Sequence, residues 1–368
     1  MPTQTTNVSN PGYGILYTAA GQTWTIAKGV SVSGGVGAVY SGFVNSTLIN
    51  KGDLFGGTFG VNFDAGGLLS NYTVINKASG EIDDQYGVYI ANFLGAAKVD
   101  NAGDISATLM GVYVSGSTDV SVKNTGKISS DGNGVFVASS SAGTKGTVVD
   151  NYGKIEADQT GVYISGPSNV VAQLVNHKGG LIDGDGFALD IYSPIKFKNE
   201  GKVVGTVLTS AYDDVVVNKG KINGNVKLYA GDDVLKNKGG AKVGGLIDTG
   251  DGNDMVVLGT KAEKLLFDYF LDPLTNVDTI KKFASGKDKF LLDDDIFTNI
   301  APGKLSGSAF HKGTSAADAD DRIIYDKKSG ALYYDQDGLG GVAQVQFAKL
   351  DGGPKLKASD FTTGEFSL

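Results

Sequence analysis

The chain has no cysteine among its 368 residues, 7 prolines, one tryptophan, two histidines and one arginine, Arg322. Without cysteine no disulfide can staple it, so core burial, metal or assembly must hold it together. Arginine supplies the planar fork that grips carboxylates and phosphates, and its near-absence argues against enzymes that clamp polyuronates or phosphates. No apolar run reaches the length of a membrane span, so the chain is not expected to be membrane-spanning. The opening Met1-Pro2-Thr3-Gln4 carries no basic or apolar region of an ordinary signal peptide. A net charge of −8 excludes general nucleic-acid binding through phosphate neutralisation and favours a cationic, metallic or neutral partner.

Glycine is abundant, at 55 residues. With so little proline and no Gly-X-Y period, collagen is excluded and tight turns between short strands are expected. One phrase recurs: apolar, any, Asn, any, Gly, any, Ile or Val. It is clearest at Val99–Ile105, Val122–Ile128 and Val149–Ile155. Its asparagines fall at Asn50, Asn76, Asn101, Asn124, Asn151, Asn176, Asn199, Asn218 and Asn237. Such spacing with alternating short strands is the signature of a solenoid. Two residues before each Asn the side chain is always apolar, so the Asn shares the inward face. Stacked asparagines can hydrogen-bond along the axis as a structural ladder. The Gly two positions on is expected to supply a positive φ.

A second phrase follows in the middle copies, at Gly87-Val88-Tyr89-Ile90, Gly111-Val112-Tyr113-Val114, Gly134-Val135-Phe136-Val137 and Gly161-Val162-Tyr163-Ile164. Alternation turns Tyr89, Tyr113, Phe136 and Tyr163 outward. These could be a strip that stabilises the sheet, an assembly surface or a platform for flat sugar faces. The fold expected is all-β, a right-handed parallel β-helix (β-solenoid) of about nine to eleven coils with a small C-terminal β-rich domain. First coils or a cap occupy 1–47, the repeat solenoid 48–258 and a capping region 259–368.

After Asn199 the repeat shortens and acidic residues take a fixed place. Asp214 lies four before Asn218, Asp233 four before Asn237, and Asp254 holds the same place in a coil without the Asn. Around them stand Asp213, Gly231-Asp232 and Gly250-Asp251-Gly252-Asn253. This text resembles the nonapeptide of repeats-in-toxin proteins, the hemolysin-type calcium-binding family. The stretches Val277–Phe283 and Gly286–Leu292, and a hairpin around Lys327-Lys328-Ser329-Gly330, are similar to the C-terminal region of type I-secreted proteins of Gram-negative bacteria. The resemblance implies Ca2+ between coils, held by Asp213, Asp214, Gly231, Asp232, Asp233, Gly250, Asp251, Gly252 and Asp254, since a hard cation takes six to eight oxygens. Asp335-Gln336-Asp337-Gly338 is a turn first and a further calcium loop second, with Asp335 and Asp337 as ligands. The resemblance also implies type I secretion machinery as a partner, an extracellular or cell-surface location, and a C-terminal signal including Asp360–Leu368.

Neither His177 nor His311 has a motif around it, and no Ser-His-Asp order, zinc spacing or phosphate loop is present. Asp83-Asp84 and Asp293-Asp294-Asp295 read as solvated turns. The expected function is therefore not enzymatic: a secreted calcium-binding structural protein whose partner is itself, self-assembling as a surface-layer, matrix or fibre subunit. The alternatives are a monomeric adhesin for cell-surface polysaccharide, or a polysaccharide lyase or epimerase.

Overall fold

A computed structural model of the chain describes residues 1–64, 66, 69–91, 94–140, 146–272 and 274–367; Leu368, the last residue of the C-terminal stretch named above, lies outside them. With 53% strand and 2% helix, the protein is an all-β parallel solenoid of about 12 turns. It divides into two compact units, Met1–Thr206 and Val207–Leu368. The division falls inside the 48–258 segment, just after the repeat shortens.

In the first unit the leading strands Thr3–Gln4 and Thr23–Ile26 are followed by coils that each contribute one strand ending on the ladder asparagine. Thr47–Asn50, Tyr72–Asn76, Ala96–Asn101, Asp119–Asn124, Thr147–Asn151, Ala172–Asn176 and Ile195–Asn199 pair in parallel with Asn opposite Asn at every step. The other sides come from stretches such as Glu81–Ala91 and Asp104–Ser115, which pair in parallel along both halves. One face of every strand points into the coil, so the apolar residues stack into continuous columns. Leu48, Val74, Val99, Val122, Val149, Leu174 and Phe197 form one such column and are buried. Each buried aliphatic of this kind is worth roughly 1.5–3 kcal/mol over leaving it in water.

The asparagine ladder is continuous through this unit. The Nδ2 of Asn50 donates to Asn76 Oδ1 at 2.9 Å, and the same 2.9 Å bond repeats from Asn76 to Asn101, Asn124, Asn151, Asn176 and Asn199. Each Nδ2 also reaches a backbone carbonyl of the next coil, as Asn101 does to Lys127 O at 2.9 Å. The buried amide N–H groups of the ladder from Asn50 to Asn176 are thus satisfied within the protein.

Gly239, two positions after Asn237, holds the expected positive φ, at 64°, but at Gly52, Gly103, Gly126, Gly153, Gly201 and Gly220 the glycine after the Asn does not. Its role is close approach. A Cβ at Gly126 would lie 2.1 Å from Gly103 O, and one at Gly103 would lie 2.1 Å from Gly80 O. Stacking brings backbone over backbone at this corner, and any side chain would push the coils apart.

The second unit is also built from parallel coils. Val215–Asn218, Val234–Asn237, Met255–Val257, Asp278–Lys281 and Val345–Leu350 pair in parallel in that order. On another side Leu246–Asp248, Lys264–Phe267, Lys289–Asp293 and Phe361–Gly364 do the same. Parallel coils therefore run on beyond residue 258. The hairpin expected around Lys327–Gly330 is present, with Ile323–Asp326 antiparallel to Ala331–Tyr334, and Val345–Leu350 joins it as a third strand.

Candidate functional site

The second unit carries a column of buried carboxylates, one per coil, immediately before or at the first residue of each parallel strand. Asp214, Asp233 and Asp254 are each 1% exposed and Asp278 is 0% exposed. The backbone N–H of each donates to the carboxylate of the next: Asp214 N to Asp233 Oδ1 at 2.7 Å, Asp233 N to Asp254 Oδ1 at 2.7 Å, Asp254 N to Asp278 Oδ1 at 3.1 Å. At one end Asp214 Oδ2 accepts from Ser210 N and Oγ. At the other, Asp278 Oδ2 accepts from the hydroxyls of Thr249 and Tyr269, both at 2.6 Å. The middle pair is incomplete, because Asp233 Oδ2 and Asp254 Oδ2 are buried without a hydrogen-bond partner. Removal from water, then the neighbouring carboxylates, pushes Asp233 up to about 8. Burial, then Asp278, raises Asp254, and Asp278 is raised chiefly by burial. Buried negative charge must be neutralised by a proton or a cation.

Three of these aspartates are those singled out in the sequence, Asp214 and Asp233 by their offset from Asn218 and Asn237 and Asp254 by the same place in a coil without the Asn. Asp278 was missed, although Asp278-Thr279-Ile280 repeats the pattern of Asp254-Met255-Val256; the coil is longer and its Asn is gone. A second, solvent-exposed column runs alongside. Asp232 N donates to Asp213 Oδ1 at 2.8 Å and Asn253 N to Asp232 Oδ1 at 2.9 Å, while exposed Asp251 lies 3.5 Å from the Asn276 amide. Gly231, Gly250 and Gly252 hold positive φ of 126°, 81° and 134° and turn the chain between these columns. The donors gathered here are all oxygens, which suits a hard cation. Among the described residues no three acidic or histidine side chains converge on one point, so an ion would draw the rest of its ligands from peptide carbonyls and water.

Asp335 and Asp337 belong elsewhere. Asp335 is buried and its Oδ1 accepts from Asp337 N and Gly338 N, a turn closed on itself. Asp337 Oδ2 accepts from Val342 N. In the ladder of the second unit, Asn218 donates to Asn237 at 2.9 Å. Asn237 then donates to buried Glu263, a further residue the repeat did not reveal.

The outward aromatics of the first unit stack face to face. Ring centroids lie 4.8 Å apart from Tyr89 to Tyr113, 5.2 Å from Tyr113 to Phe136 and 4.4 Å from Phe136 to Tyr163, with interplanar angles of 8°, 10° and 3°. Stacked like this, the rings spend their faces on one another and offer edges to solvent. A sugar platform needs open faces, so the arrangement favours sheet stabilisation. His177 stacks on Tyr152 at 3.7 Å and its Nε2 lies 2.9 Å from Asp150 Oδ1, while His311 Nδ1 is 3.5 Å from Asp321. Asp84 departs from the solvated-turn reading: it lies inside the strand Glu81–Ala91, 7% exposed, because alternation puts it on the same inward face as buried Ile82.

No protein-family model matches this chain, and no curated protein matches it.

Proposed function

We propose that the chain is a calcium-stabilised structural β-solenoid of the hemolysin-type, repeats-in-toxin kind. In this reading it leaves a Gram-negative cell by a type I route and self-assembles outside as a surface-layer, matrix or fibre subunit. The observation that supports it best is the pair of unpartnered, buried carboxylate oxygens of Asp233 and Asp254 on successive coils. These two residues would hold Ca2+, with Asp213, Asp232 and Asp251 adding negative charge nearby. The ion would supply the positive charge the column lacks, and coupling its binding to folding would make the second unit firm where calcium is abundant and loose where it is scarce.

The test is circular dichroism and light scattering of the purified full chain with calcium and then with chelator. Calcium should raise the melting temperature and the particle mass, and Asp233→Asn with Asp254→Asn should abolish both responses. Identical melting and unchanged monomers under the two conditions would end this reading.

A further inference from the structure

The second unit contains a cavity of about 720 Å³ lined by four lysines, Lys281, Lys327, Lys328 and Lys349, against one carboxylate, Asp351. In a chain of net charge −8 this is a local reversal of sign. The fold assembles it from three distant stretches. Parallel pairing sets Thr279 opposite Lys349 and Ile280 opposite Leu350, which places Lys281 at the same end of the sheet. The hairpin turn then folds Lys327 and Lys328 onto that end: Leu350 N donates to Gly330 O at 2.8 Å. Gly330, at a φ of 81°, packs so close that a Cβ would lie 2.1 Å from Leu350 O. The nearby Asp326 is committed to the turn, where its carboxylate accepts from Lys328 N and Ser329 Oγ. Among the described residues none of the four lysines makes an ion pair.

We propose that this cavity binds an acidic polysaccharide, through successive carboxylate or sulfate groups of one extended chain. Four like charges held together without internal partners repel one another, and a multivalent anion relieves that repulsion. Lysine ammoniums are rotatable point charges, suited to anionic groups spread along a polymer rather than to one planar group gripped from two sides. Lys327, Lys328 and Lys349 are solvent-exposed on the rim, so the cavity cannot enclose and desolvate a small anion, whereas a chain can lie across it.

The experiment is titration of the full chain with dextran sulfate, using pyrophosphate as the small-anion arm. Binding should weaken steeply from about 0.05 M to about 0.5 M salt, because exposed charges are screened. The Lys281→Gln, Lys349→Gln pair should weaken binding about tenfold or more, while Lys196→Gln with Lys238→Gln, exposed lysines outside the cavity and an equal change in charge, should alter it less than about twofold. Circular dichroism confirms that both double variants keep the fold. Absence of binding at low salt, or equal weakening in the two double variants, overturns the site. Binding of pyrophosphate but not dextran sulfate overturns the assignment to a polymer.

Discussion

At the scale of single residues, the coil spacing rests on atoms that are missing. Gly126 has no side chain because Gly103 O occupies the place of its Cβ, and neither partner can rotate away since both are backbone. Gly126→Ala is expected to destabilise the first unit by about 2–3 kcal/mol, the scale of overpacking in a rigid interior. Gly240→Ala, with nothing within 4 Å and no positive φ, should stay within about 0.5 kcal/mol. Urea unfolding separates the two, and equal effects would show that the glycine column does not set the spacing. The reason for this glycine could not be read from the repeat, because Asn-x-Gly fits a left-handed turn as well as a close approach. The asparagines were legible because each stands at a fixed distance from a buried aliphatic. The four lysines were not: residues 281, 327, 328 and 349 share no local pattern, and net charge averages them away.

At the scale of the element, the strand Glu81–Ala91 pairs along both halves with Asp104–Ser115 and slips register between Asp84 and Tyr86. Ile82 and Asp84 share the inward face by simple alternation before that slip, and the adjacent pair of acids masked it in the sequence. Burial pushes the Asp84 carboxyl up to about 6, against about 3.9 for an unfolded aspartate. The folded strand therefore holds a proton more tightly than the unfolded chain does. Its contribution to stability is complete below about pH 4 and is lost as pH rises through about 6. Asp84→Asn carries no such proton, so its urea midpoint should fall less than that of the parent protein between about pH 4 and about pH 7. Parallel losses in both proteins would place the pH dependence elsewhere. The aspartates of the second unit show a limit of sequence reading. Asp214 and Asp233 were visible from their offset to the asparagine and Asp254 from the glycine-rich Gly250-Asp251-Gly252-Asn253 before it, whereas Asp278 and Glu263 have neither signal.

At the scale of the whole molecule, the two units differ in internal chemistry. Both carry asparagine rungs and stacked rings, but the second adds a column of buried carboxylates that accept backbone N–H groups. Trp24, the single tryptophan, lies in the first unit, so its fluorescence reports on that unit alone. Under the proposed function, calcium should leave the tryptophan melting transition in place while shifting a second transition seen by circular dichroism. A tryptophan transition that moves with calcium as far as the second would mean the ion acts outside the aspartate column. The asparagine ladder has one more consequence. Asn101 and Asn124 stand 23 residues apart and make the same bond, so each repeat offers its successor what it takes from its predecessor. Nothing in such a lattice counts its members: whole repeats can be duplicated or lost in evolution with every surviving contact intact, and copy number becomes the easiest property of this protein to vary.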